Sequence, residues 1–268
     1  MISIKTYHPE TLKGIIKSFW CLIVAENIKD PYIEEIIPDL HHEIIFEINA
    51  SSYRRHKNSW VKNPTIYFAG QNSHSYKQKF QSGAIIYGIR FYPHTQALLY
   101  DFEASLSTDY PIPFSDISSC NELCSCISES AEKTFHRFEK VLFKKISGIA
   151  HSGTFKYVDA AINKILKVNG AMKISSLEHY TGVSSRSLEK GFKHYVGIGP
   201  KQFSNMVRYN HFISIQKNQP EKPLTSIAYE ADFYDQSHLI RQSRQISGKT
   251  PSDLLLQPGI INDHFISF

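Results

Sequence analysis

The first hundred residues alternate apolar and polar side chains or gather them into short β-branched runs. In residues 43–48 the side chains of Ile44, Phe46 and Ile48 fall on one face of a strand and Glu43 and Glu47 on the other, which predicts a half-buried strand. Runs of β-branched and aromatic residues at 64–70 and 84–93, punctuated by Gly or Pro, predict further strands. The N-terminal half is therefore expected to be a β-rich sandwich or barrel.

The pattern then changes to apolar residues spaced three or four apart. From Leu123 to Ile146 they form one stripe, which predicts a long helix that covers the sheet or meets a second subunit. Residues 147–153 contain two glycines and predict an interdomain linker. The expected domains are 1–150, a sensory or dimerisation domain, and 151–268, which is helical throughout. The predicted fold class is α+β.

The helical half contains two similar units, each with two helices joined by a short turn. In the first unit Ser175 and Glu178 have capping-box spacing, and Ser184 precedes the second helix as an N-cap. In the second unit Thr225 and Asp235 stand at the equivalent N-cap positions. Two copies of one small unit predict two equivalent contacts with a repeating partner.

Alignment of the two second helices on Ser184 and Asp235 gives each a polar, basic front and an apolar back. The front positions hold Ser185, Arg186, Lys190 and Lys193 in the first helix and Gln236, Ser237, Arg241 and Arg244 in the second. Such a helix fits the DNA major groove, where Arg, Lys and Gln pair with base edges. Ordinary solvated helix faces are the alternative, but the agreement of both copies favours DNA.

Charge and cysteine usage support this interpretation. The net charge of +5 resides entirely in residues 154–268, with 14 Lys and Arg against 9 Asp and Glu, while residues 1–153 contain 16 of each. Four cysteines are too few and too closely spaced for a secreted disulfide scaffold, and no apolar stretch is long enough to span a bilayer. A soluble cytoplasmic protein without membrane contact is expected.

The sequence shows no catalytic constellation, and no cofactor is expected. His41-His42-Glu43 lacks the His-x-His and spaced Glu of a metal-binding cupin, so surface or core histidines are favoured. Cys120, Cys124 and Cys126 lack a fourth spaced ligand, so no metal site is predicted.

Residues 174–254 resemble the double helix-turn-helix module of AraC/XylS-type transcription regulators. The most specific matches are IAYEADFYDQSHL at 227–239 with Arg241 after it, GKTP at 248–251, and GIGPKQF at 197–203 with Arg208 beyond it. The resemblance implies that one subunit places both recognition helices in successive major-groove segments, about 34 Å apart. It implies base contacts from Arg186, Glu189, Lys190, Gln236, Ser237, His238 and Arg241. Lys201, Arg208, Lys249 and Thr250 are then expected near phosphate or as structural supports.

Four positions depart from the family pattern, among them Phe212, which occupies a connecting-helix position that is usually small. Asp232 stands where a turn Gly is usual and is expected to adopt a left-handed conformation. Ser243 replaces a core Phe, and Gly191 interrupts the first recognition helix at a cost of roughly 1 kcal/mol relative to Ala. The two copies are therefore expected to read different bases and to contribute unequally to binding.

The N-terminal half weakly resembles the cupin-like domains of some of these regulators, which implies a sensory role or homodimerisation. Arg90 and Tyr92 share a strand face with Ile86, so they could line a cavity and meet an anionic effector; exposure on an outer face is the favoured alternative. The predicted function is a sequence-specific DNA-binding transcription regulator. The alternatives are a nonspecific architectural DNA-binding protein and, third, a cupin-like enzyme with a helical appendage.

Overall fold

The computed structural model describes residues 2–27, 31–146, 152–255 and 259–266. The predicted linker at 147–153 lies outside the described residues except for Ser152 and Gly153. The β-rich half followed by a helical half confirms the predicted α+β class.

In the described residues, ten strands form two antiparallel sheets. They are β1 (Ile2–Tyr7), β2 (Ile16–Val24), β3 (Tyr32–Ile36), β4 (His42–Glu47), β5 (Ser52–His56), β6 (Ser59–Lys62), β7 (Ile66–Ala69), β8 (Tyr76–Phe80), β9 (Ile85–Phe91) and β10 (Ile112–Pro113). The six-stranded sheet has the order β1-β2-β9-β4-β7-β10, and the four-stranded sheet has the order β3-β8-β5-β6. The two sheets face each other and enclose the interior of a barrel-like domain.

Both faces of the six-stranded sheet are buried, because its strands carry apolar residues on each side. Phe19 and Phe46 face a core shared with the helical segment that follows the strands, while Ile45 faces the barrel interior. The prediction that Glu43 and Glu47 lie on a half-exposed face is therefore wrong. Both look into the interior, where Glu47 is 5% exposed and accepts the backbone N–H of Ser52 at 2.9 Å.

The predicted long helix is broken into two. Helix α1 (Asn121–Cys124) and helix α2 (Ala131–Ile146) are separated by a turn in which Thr134 Oγ1 accepts the backbone N–H of Ser128. The apolar stripe continues across this break, because Leu123 and Phe138 are both buried against the six-stranded sheet. The stripe therefore covers the sheet, which is the first of the two roles predicted for it.

The described part of the C-terminal half contains seven helices before its last segment. They are α3 (Gly153–Lys167), α4 (Ile174–Thr181), α5 (Ser185–Tyr195), α6 (Pro200–Asn218), α7 (Leu224–Glu230), α8 (Gln236–Ser247) and α9 (Pro251–Leu255). Helix α6 lies between the two units, with Phe203 and Phe212 fully buried in the common core. Because one core serves both units, their recognition helices are held in a fixed relation.

The last described helix, α10 (Ile260–Phe265), returns to the β domain. Its partly buried residues Ile261 and Phe265 pack against the apolar cluster between the sheets. The chain segment after the helix-turn-helix units thus contributes to the core of the other half.

Candidate nucleic-acid interface

The first helix-turn-helix unit consists of α4, a three-residue turn and α5. Ser184 Oγ accepts the backbone N–H of Ser187 at 3.3 Å, which confirms it as the N-cap of α5. The predicted capping box in α4 is wrong, because that helix begins at Ile174 without a side-chain cap. The Glu178 carboxylate instead accepts the backbone N–H of Ser185 at 2.5 Å, so it satisfies a second donor at the start of the recognition helix.

The second unit consists of α7, a five-residue turn and α8. Asp235 Oδ1 accepts the backbone N–H of His238 at 2.6 Å and is the N-cap of α8, as predicted. Thr225 does not cap α7, since that helix begins at Leu224 after Pro223. Asp232 has φ +59°, which confirms the left-handed conformation expected there.

The two recognition helices are backed differently. In α5, Gly191 lies against α3, where an added Cβ would stand 2.7 Å from Cγ2 of Val158, so the glycine permits a close helix crossing. In α8, buried Ser243 donates to the Lys249 carbonyl at 2.8 Å, and its Oγ lies 3.4 Å from the hydroxyl of fully buried Tyr209. The Tyr209 ring thus stands close to the position where the family pattern has Phe.

The fronts of both helices are open to solvent and cationic. Among the predicted DNA contacts the exposed ones are Arg186, Glu189, Lys190, Lys193, Lys201, Ser237, Arg241 and Arg244, and the half-buried ones are Ser185, Gln236 and His238. The His238 ring packs edge-on against Phe233 at 5.4 Å between centroids. The structure therefore brings the predicted base-reading side chains onto two solvent-facing surfaces.

An open cleft of about 760 Å³ separates α5 from α8 at the start of α6. Lys193 and Lys201 line it, and the Glu189 carboxylate lies beside Gly199, where a Cβ would stand 2.6 Å from its nearest oxygen. Asp109 of the β domain borders the same cleft. Glu189 is thus directed toward the start of α6 and this cleft.

Three residues that were predicted to contact DNA have hydrogen-bond or ion-pair partners within the protein. Arg208 donates to the Gly170 carbonyl at 2.9 Å, and Lys249 pairs with Glu35 of the β domain at 2.5 Å. Thr250 Oγ1 donates to the Asp253 carboxylate at 2.6 Å, and these hydrogen bonds lower the pKa of Asp253. These contacts support the predicted structural role, and phosphate contact by the same residues stays a prediction.

The β domain holds the first recognition helix by contacts that the sequence did not reveal. The His42 ring donates from Nε2 to the Val196 carbonyl at 3.0 Å, and Gln96 donates to the Tyr195 carbonyl at 2.7 Å. Thr108 donates to the Gly197 carbonyl at 2.9 Å. Burial lowers the pKa of His42 to about 4, so the ring is neutral at pH 7. His42 is one of three polar residues of β4, and its sequence position gave no signal for this contact beyond the expected surface or core histidine.

The two predicted effector residues lie in different cavities. Arg90 is 3% exposed and lines the barrel interior, so the favoured prediction of an outer face is wrong for it. Tyr92 lies beyond the strand end and lines a cavity between the β domain and α6. Arg90 is also already paired, with Glu43 at 2.7 Å and with Asp39.

A helix-turn-helix domain model matches residues 177–257, which span both units and the exposed helix fronts. Residues 177–257 are thus a helix-turn-helix domain, and the chain is a DNA-binding transcription regulator. A domain of unknown function, DUF6597, matches residues 5–113, most of the β-rich half. A comparison with curated proteins finds no relative.

Solved structures similar to this chain include ToxT from Vibrio cholerae, at 14% identity and TM-score 0.47, covering 95% of this chain and 98% of that one. ToxT bound to an unsaturated fatty acid has 13% identity and TM-score 0.46, covering 96% and 94%. The AraC-like transcriptional activator CuxR has 13% identity and TM-score 0.34, covering 71% and 73%. No described helix is long and apolar enough to cross a membrane.

Proposed function

We propose that this regulator reads a specific operator with α5 and α8 in two successive major-groove segments. The observation that carries the proposal is the pairing of two solvent-facing cationic helices on one shared core, with α6 between them. Arg186, Lys190 and Arg241 are exposed and lie where a groove-bound helix would meet base edges. We assign the chain no catalytic role.

Phosphate contacts fall to the exposed lysines and arginines that no internal pair engages in the described structure. Lys193 and Lys201 line the cleft between the recognition helices, and Arg244 is exposed near the end of α8. A backbone that crosses from one groove segment to the next would pass such a cleft. Arg208 and Lys249 have internal partners, so we propose structural support as their main role and leave their phosphate contacts a prediction.

We further propose that the barrel interior binds a small effector. A cavity of about 90 Å³ lies between the two sheets, lined by aromatic residues including Trp20, Tyr67 and Phe80 and by a few polar groups, among them Glu43 and Arg90. Apolar pockets with few convergent polar groups are typical ligand sites. Homodimerisation stays a prediction, since the α2 stripe that suggested it is buried within one chain.

The operator proposal is tested by selecting bound duplexes from a random library with the full chain and measuring their affinity against scrambled duplexes. We expect a preference of about 10³-fold or more, and affinity that falls steeply with salt. Equal affinity for selected and scrambled duplexes would leave a nonspecific architectural protein as the function.

A further inference from the structure

The mouth of the barrel cavity is occupied by a side chain from the far end of the protein. Phe265 of α10 lines the cavity, with its ring 4.5 Å from the Arg90 guanidinium carbon and 5.5 Å from the Trp20 ring in an edge-on arrangement. A planar guanidinium against a ring face and an aromatic edge contact both favour an aromatic group at this point. The protein itself therefore shows which chemistry this position accepts.

Helix α10 is held at the mouth by specific hydrogen bonds with the β domain. The buried Glu34 carboxylate accepts the backbone N–H groups of Ile261 at 3.0 Å and Asn262 at 2.8 Å. The Asn262 side chain accepts the backbone N–H of Ile37 at 2.9 Å and donates to the Glu35 carbonyl at 2.6 Å. The helix is thus seated in register with strand β3.

The same helix also contacts the DNA-binding half. Lys217, near the end of α6, pairs with Asp263 at 2.8 Å and donates to the Asn262 carbonyl at 3.3 Å. Because α6 connects the two helix-turn-helix units, α10 bridges the cavity mouth and the element that sets their relation. A molecule that displaced Phe265 would loosen this bridge.

The charges at the mouth discriminate against an anion. Arg90 is a buried cation in this cavity, and two carboxylates, Asp39 and Glu43, already occupy its hydrogen-bonding edge. Glu43 also accepts the Trp20 indole N–H at 3.0 Å. An incoming carboxylate would have to break these pairs and would add a negative charge beside two others, which is costly in a buried site.

We propose that the effector is an uncharged aromatic molecule that takes the place of the Phe265 ring over Arg90 and so releases α10 from the cavity mouth. This inference rests on the proposed sensory role of the barrel and names both the ligand class and the way occupancy reaches α6. It replaces the sequence-based expectation of an anionic effector. A hydroxyl or amide N–H on the ring would find acceptors in Asp39 and Glu43.

The test uses two probes that share one ring, benzyl alcohol and benzoate. The chain has two tryptophans, Trp20 in the cavity and Trp60 on β6, so full-length W60F leaves Trp20 as the fluorescent reporter. Affinity for each probe is measured in W60F, the parent, and in the parent carrying Phe265→Ala or Ile260→Ala. The second of these alters an exposed residue of the same helix and is the control. Phe265→Leu is the second variant, because it fills space without a ring.

We expect benzyl alcohol to bind at least fivefold more tightly to Phe265→Ala than to the parent or to Ile260→Ala, since the competing ring is gone. The affinity of Phe265→Leu for benzyl alcohol is expected to lie between that of Phe265→Ala and that of the parent. Benzoate should bind at least tenfold more weakly than benzyl alcohol to every variant. Equal affinity of Phe265→Ala and the parent, or a preference for benzoate, would overturn the proposal.

Operator affinity measured on the same samples separates the two proposals. Saturating benzyl alcohol should change operator affinity of the parent at least threefold and that of Phe265→Ala less, because α10 is already released. Operator affinity that is unchanged by benzyl alcohol in the parent overturns the coupling through α10. Loss of operator preference in the untreated parent would instead refute the proposed function.

Discussion

The two helix-turn-helix units share a sequence pattern but differ in what supports them. At the position where α5 has Gly191, α8 has Gln242, which is buried and donates to the Asn205 carbonyl of α6 at 2.6 Å. The end of α5 is held by His42 and two further side chains of the β domain, whereas Ile246 near the end of α8 accepts the backbone N–H of Ser75 at 2.7 Å. Equal patterns on the front of a helix therefore do not imply equal packing behind it.

The largest expected effect concerns pH and the support of the first unit. Burial lowers the pKa of His42 from 6.5 to about 4, so the unfolded chain binds a proton between these values that the folded chain does not. The contribution of neutral His42 to the free energy of unfolding is complete above pH 6.5. It is lost as the pH falls toward 4, and the total loss is roughly 3 kcal/mol. Urea denaturation of the wild type from pH 7 to pH 4 measures this loss.

The control for this prediction is His42→Gln, which retains a donor for the Val196 carbonyl but does not titrate. Burial also lowers the pKa of His41, to about 3, and His41 contributes in the same direction in both proteins. The wild type should therefore lose stability more steeply than the variant. Parallel pH profiles would show that His42 does not anchor the first unit.

The next largest effect distinguishes what the two helices read. Arg186→Ala and Arg241→Ala should each cost about 1 to 3 kcal/mol, or roughly 5- to 150-fold, in operator affinity and relax preference at different base positions. Arg137→Ala, which removes an exposed arginine from α2, is the matched control. Binding to systematically substituted duplexes measures the effect. Relaxation at the same positions in both variants would contradict reading by separate groove segments.

Gly191→Ala examines the close crossing of α5 and α3. The added methyl would overpack against Val158 at a cost of about 1 to 3 kcal/mol, offset by about 1 kcal/mol of helix propensity, which leaves a net loss of about 1 kcal/mol. Gly153→Ala is the control, because a Cβ there meets open space. The thermal unfolding midpoint of Gly191→Ala should lie below those of the wild type and Gly153→Ala. A midpoint of Gly191→Ala above that of the wild type would show that the added methyl is not crowded.

The smallest effects concern the caps. Asp235→Ala should cost about 1 kcal/mol, and Ser184→Ala about 0.5 kcal/mol, because Glu178 satisfies another donor at the start of α5. Ser175→Ala is the control and should cost nothing, since α4 has no side-chain cap. Urea denaturation measures the free energy of unfolding of the three variants and so checks the order of these losses. A cost for Ser175→Ala equal to that for Ser184→Ala would restore the capping box.

Features that depend on a few neighbouring residues were predictable. Strand alternation located β4, runs of β-branched and aromatic residues located β7 and β9, and the N-caps Ser184 and Asp235 marked both recognition helices. The failures have physical reasons. The predicted capping box is absent because the Glu178 carboxylate accepts a hydrogen bond from the next helix instead. The break between α1 and α2 was not predicted because the apolar stripe continues on both sides of it.

The sequence by itself determined the fold class, the paired units and the cationic fronts of α5 and α8, because periodicity and capping are local properties of the chain. Tertiary structure alone decided the rest. It placed Gly191 against α3, engaged Lys249 with Glu35 and buried Arg90 between two carboxylates. It also returned Phe265 to the barrel. Each of these joins residues distant in sequence, and packing and desolvation of such pairs exist only once the chain has folded.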